Sequence, residues 1–212
     1  MKRIRAYLLF TSRRYRLGIF LVLPAAALAA GLFWHYTLKI GFGFLLVPEM
    51  ILAEIMTDQG IFNGIQSRRG YKLDFLKTSP VGQGILFQGL SWDLARRLLT
   101  AAACVGAGWA VKALAVGKGW AVCLSMVLAV YFAEVLGIFI SRFTQSVLLC
   151  LFTSYGSIAV GLILYVLVCS VSAPALWVVD GLLTLAAAGT SVLTVLTGMK
   201  KWRQTYSDMR NF

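Results

Sequence analysis

Charge is scarce in this chain: 13% of its 212 residues are Asp, Glu, Lys or Arg, against roughly 25% in soluble globular domains. Hydrophobic residues make up 59%, more than a soluble core of this size can cover, so lipid must be the solvent for most of the chain. Histidine is nearly missing. His35 stands alone, which excludes a multi-histidine metal site within one chain, and the Trp34 and Tyr36 beside it suit a membrane interface. The four cysteines, Cys104, Cys123, Cys150 and Cys169, show no CxxC spacing and lie in hydrophobic runs, where they read as small buried hydrophobes.

The familiar catalytic signatures are also missing. There is no HExxH, and a Ser-His-Asp arrangement would have to use His35, which has no nucleophile motif to pair with. The nearest approach to a GxxxxGK[ST] loop is Gly117-Lys118-Gly119, which lacks the hydroxyl residue. No catalytic residue and no metal ligand is therefore assigned, and any nucleotide chemistry would be supplied by another chain. The net charge of +12 does not point to nucleic acid, because the basic residues flank hydrophobic runs instead of forming one face.

What the chain has is length of hydrophobic run. A membrane-crossing helix needs about 20 mostly apolar residues. Six candidates meet this, near 17–38, 40–65, 98–116, 120–140, 147–171 and 175–199. The expected architecture is an all-α integral membrane protein, one transmembrane domain over 1–212. The start resembles a secretory signal, with Ala27-Leu28-Ala29 as a cleavage site. Its apolar run continues past that site to Trp34, and five more runs follow, so retention is expected. Before it, residues 2–16 place Ile4, Tyr7, Leu8 and Tyr15 on one helical face among basic residues. That pattern serves equally as an interfacial helix or as an orientation signal.

Positive charge orients the chain. With both termini in the cytoplasm, 17 of the 20 basic residues fall on the cytoplasmic side, Arg68, Arg69, Arg96, Arg97 and Arg142 among them. Lys39, Lys112 and Lys118 fall at the outer side. The same asymmetry puts the polar stretch 67–97, between the second and third runs, in the cytoplasm.

The second run is not a plain lipid anchor. Glu54 and Asp58 are four positions apart and share a helical face, and Gly60 with Gly64 forms a GxxxG suited to close helix packing. Asp58 and Asn63 are expected near the headgroups, where they cost little. Glu54 is expected to line a pathway or a subunit interface, because ionisable groups deep in lipid usually face a bundle interior. Glu134, isolated in the fourth run, would pair with a basic residue or carry a proton. Asp180 is expected to reach water near the outer end of the last run.

The stretch "RRGYKLDFLKTSPVGQGILFQGLSWDLARRLL" resembles the cytoplasmic segment between spans two and three of type 2 ABC permeases, the membrane subunits of many bacterial exporters. The corresponding parts are Arg68-Arg69-Gly70, Leu73 to Leu76, Ser79-Pro80 and a re-entering helix from Gly84 to Arg97. Six spans, cytoplasmic termini and an interfacial N-terminal segment fit the same family over nearly the whole chain.

The resemblance implies a multi-pass protein of the bacterial cytoplasmic membrane. A short helix around Tyr71–Ser79 would dock on a cytoplasmic ATPase, which holds the ATP and magnesium. Leu73, Phe75 and Leu76 suit apolar anchors, while Lys72, Asp74 and Lys77 suit a polar rim; Pro80 ends the helix so that it stands as a separate knob. The partners implied are that ATPase, a second permease (identical or homologous) and membrane lipid. Two other readings need no ATPase: a scaffold or immunity-type protein binding a cytoplasmic partner or anionic lipid, and a proton-coupled carrier using Glu54 and Glu134. No internal repeat between the halves supports the carrier.

Overall fold

A computed structural model describes residues 16–39, 41–58, 81–113, 119–142 and 147–209, and among these the chain is entirely helical apart from short turns. Helix α1 spans Gly18–Leu38, opening with a wide π-helical turn over Gly18–Val22. It is followed by α2 (Gly43–Asp58), α3 (Gly82–Ala110), α4 (Trp120–Ser141), α5 (Val147–Ser170) and α6 (Ala173–Met209). Lys39 and Lys112 adopt left-handed φ values of 57° after α1 and α3, and Gly119 takes φ 71° immediately before α4. These breaks gather at one end of the bundle. There the Tyr36 hydroxyl donates to the Val111 carbonyl at 3.0 Å, and Trp120 meets Trp177 edge-on at 5.4 Å.

Among the described residues, four helices are long and apolar enough to cross a membrane: α1, α4, most of α5 (Leu148–Ser170) and the Pro174–Lys200 part of α6. Their packing is unequal. In α4 61% of the apolar window is buried, against 17–28% in the other three, so α4 is the central post and the others present apolar side chains outward. Phe152, Val178 and Leu185 are among the large exposed hydrophobics on that outer face. A surface of this kind is stable in lipid, and the chain is a membrane protein by this criterion.

Helices α1, α4 and α5 occupy nearly the same residues as three of the hydrophobic runs, and α6 runs on past 199 as far as Met209. The described part of the second run is the 16-residue α2, and residues 59–80 lie outside the described residues. The re-entering segment and the third run form one unbroken helix, α3, of 29 residues. At about 1.5 Å per residue that helix is about 43 Å long, more than the hydrocarbon thickness, so it carries its charged middle into the bundle.

Small residues let α2, α4 and α5 approach closely. A Cβ on Gly137 would stand 2.6 Å from both Ile55 Cδ1 and Ser157 Oγ; one on Gly161 would stand 2.6 Å from Ile51 Cδ1. At Gly43 the added carbon would overlap the Tyr165 ring, itself buried and edge-on to Phe44 at 5.2 Å. Gly43→Ala is therefore expected to lose about 1–3 kcal/mol through overpacking, read as a lower unfolding temperature in detergent; an unchanged value would mean that the ring moves freely.

Candidate functional site

At the end of the bundle opposite the turns, six charged side chains are buried together. The sequence supplies them from three places. On α3, Asp93 precedes Arg96 and Arg97 by three and four positions, so all three share a face and brace one another. Asp93 Oδ1 accepts from Arg96 Nε at 3.1 Å, and its Oδ2 accepts from Arg97 Nε at 2.8 Å. The brace aims both guanidiniums at α2.

Glu54 of α2 receives them. Arg96 binds its carboxylate as a two-pronged fork, Nη1 to Oε1 at 2.8 Å and Nη2 to Oε2 at 2.6 Å. Arg97 Nη1 donates to Oε2 at 2.5 Å and to the Glu54 main-chain carbonyl at 2.9 Å. One turn further along α2, Asp58 holds Arg142, which follows α4: Nη2 to Oδ1 is 2.8 Å and Nε to Oδ2 is 3.2 Å. Arg97 Nη2 lies 3.6 Å from the same Asp58 oxygen and so joins the two halves. Arg142 Nη1 donates to the Thr194 carbonyl of α6 at 2.5 Å, and Arg96 lies over the Phe20 ring of α1 at 5.9 Å. Five of the six described helices thus meet in one network.

The charges balance. Glu54, Asp58 and Asp93 face Arg96, Arg97 and Arg142, every one of them buried, with Arg97 at 0% exposure. A balanced, multiply hydrogen-bonded set is the form in which ions persist at depth, since an unpaired one is strongly destabilising there. Chemically the set is a joint. Glu54 is held by two guanidiniums at once, which fixes its carboxylate in one position.

Glu134 stands apart. It is fully buried on α4, and neither carboxylate oxygen has a hydrogen-bond partner among the described residues. It is within electrostatic reach of Glu54, Arg97, Arg96 and Asp93, but the balance closes without it. No basic residue pairs with it among the described residues.

The other residues singled out in the sequence divide clearly. Glu54 and Asp58 are brought together with partners that the charge asymmetry assigns to cytoplasmic water: Arg96, Arg97 and Arg142 are 2%, 0% and 8% exposed. Asp58 is likewise buried, with Arg142 compensating its charge. Asp180, expected to reach water, is 6% exposed and accepts from Ser125 at 2.5 Å. Tyr71, Lys72, Leu73, Asp74, Phe75, Leu76, Lys77, Ser79 and Pro80, with Gly60 and Gly64, lie outside the described residues. Asp93 is the member of the network that the sequence patterns above do not single out. Its spacing to Arg96 and Arg97 is the signal that points to it.

No family model, curated protein or solved structure matches this chain.

Proposed function

We propose that this chain is the permease subunit of an ATP-binding-cassette exporter of the bacterial cytoplasmic membrane, forming half of a pathway for an amphipathic or hydrophobic substrate. One observation carries the reading: the two helices that flank residues 59–80 are locked together, and to the central post, by the buried ionic network. The described part of α2 reaches Asp58, and α3 begins at Gly82. A force applied to the intervening residues therefore has a stiff route into the bundle. A simple surface loop has no need of such an anchorage.

In this reading α2 and α3 complete six spans, both termini are cytoplasmic, and Tyr71–Pro80 is the contact to a separate ATPase that holds ATP and magnesium. A second permease, identical or homologous, closes the pathway, since six helices from one chain are too few to enclose a wide conduit. A closed two-fold pair is the usual arrangement for identical subunits. The proton-carrier alternative loses one of its two carboxylates, because Glu54 is occupied by Arg96 and Arg97.

Affinity purification from native membranes tests the proposal. The tagged chain is expected to bring down a nucleotide-binding subunit, and proline at Leu73 or Leu76 is expected to release it while leaving the chain monodisperse. Native mass analysis that finds the wild-type chain with no nucleotide-binding partner would remove the reading.

A further inference from the structure

A groove on the outer side of the bundle plays no part in the ionic joint. Helices α3 and α6 both pack on α4 and splay apart toward the surface, leaving a cavity of about 450 Å³ between them. That is within the about 300–1,000 Å³ typical of small-molecule sites. Phe87 and Leu94 of α3 and Val192, Val195 and Leu196 of α6 form its walls, and Tyr131 of α4 its floor.

The lining makes few polar demands. The Tyr131 and Ser191 hydroxyls bond each other at 2.9 Å, Ser191 donates to the Ala187 carbonyl at 2.6 Å, and Ser91 donates to the Phe87 carbonyl at 2.8 Å. With its hydroxyls engaged internally, the groove suits hydrocarbon. Phe87, Val192 and Leu196 at its rim are each about half exposed, on helices whose outward faces are apolar, so the groove opens toward lipid.

One end of the groove is charged. Val192, Leu196 and Lys200 follow at steps of four along one face of α6, so Lys200 stands a turn beyond the rim, and it is exposed. Gly198 lies against Leu90 of α3 and Arg142, which places Lys200 at the same end of the bundle as the ionic joint. Lys201 and Arg203 follow in the sequence. The neighbouring carboxylates Asp58 and Asp93 are already bound by arginines, so a lysine sets the field at that end. We propose that this groove holds one acyl chain of an anionic phospholipid, with its phosphate at Lys200. The chain then lies against Leu94, one residue from Asp93, and against Tyr131, one turn from Glu134. This inference does not depend on the exporter reading and can be tested with no ATPase present.

The test uses the purified full-length chain in nanodiscs of phosphatidylcholine and phosphatidylglycerol, one or the other carrying a photoactivatable acyl chain. Crosslinks are mapped by mass spectrometry. The expected result is labelling concentrated on Leu94, Val192 and Val195, several-fold higher from phosphatidylglycerol than from phosphatidylcholine. Lys200→Gln should erase the headgroup preference. Ala95→Trp, which fills the groove from an exposed position, should remove the groove label while leaving the label at Leu185 on the outer face of α6. Val192→Trp serves the same purpose should Ala95→Trp fail to give monodisperse protein. Labelling of Leu185 and Phe152 at the same yield as the groove would overturn the proposal. So would equal yield from both lipids, or a crosslink showing a second copy of the chain seated in the groove.

Discussion

Glu54→Ala is expected to remove about 3–5 kcal/mol of stability, the cost of leaving buried charge without its partner. The loss is large because two guanidiniums, not one, lean on this carboxylate, and both are at most 2% exposed. The variant leaves three arginines against two acids in a site that water does not reach. In practice this should appear as aggregation on gel filtration and a strongly lowered unfolding temperature in detergent. A compensated variant separates charge from shape. Glu54→Gln with Arg96→Met restores balance, leaving Asp58 and Asp93 against Arg97 and Arg142. It should regain most of the loss, since apolar replacement of a buried ion pair is often neutral or stabilising. Wild-type melting of Glu54→Ala alone would mean that the site is hydrated and that the network is not a structural joint.

Much of the bundle is legible in the sequence because hydrophobic length is a strong signal. The runs near 120–140 and 147–171 are interrupted only by short connections, and α4 and α5 occupy them almost residue for residue. What fails is reading charge as a marker of water. Arg96 and Arg97 end a polar stretch and precede Leu98, so taken alone they look like residues left in the cytoplasm. Their burial depends on Glu54, more than forty residues earlier, and nothing local announces that pairing. Part of the answer is nonetheless present in spacing. Glu54 with Asp58, and Asp93 with Arg96 and Arg97, form two complementary helical faces whose charges nearly cancel.

Asp180 teaches the same lesson differently. Leu176, Asp180, Leu183, Ala187 and Thr194 recur at steps of three, four or seven and are all buried, so the acid lies on the inward stripe of α6 whatever its depth. Helical face decides its environment more than distance from the end of the run. In the exporter reading, residues 71–80, part of the stretch that resembles type 2 ABC permeases, take their meaning from a partner's surface, and no pattern within the bundle replaces that.

Asp58 and Arg142 offer a way to separate holding the bundle together from transmitting force through it. Asp58→Asn alone should be destabilising by about 3–5 kcal/mol, since Arg142, which also donates to the Thr194 carbonyl, then loses its charged partner on α2. The pair Asp58→Asn with Arg142→Gln removes one charge of each sign and should restore melting close to that of the wild type. It still cuts the tie from the end of α2 to α4 and α6, where residues 59–80 join the bundle. In the exporter reading the double variant should bind the ATPase as well as the wild type does. Its substrate-stimulated ATP turnover should fall by about 5–150-fold, the range that coupling energies of about 1–3 kcal/mol produce. Full stimulation in a stable double variant would show that force enters elsewhere, with the Arg96 and Arg97 contacts to Glu54 as the remaining route. Loss of ATPase binding itself would place the Asp58 end of α2 in the docking surface, and the joint would then be part of the contact instead of a lever behind it.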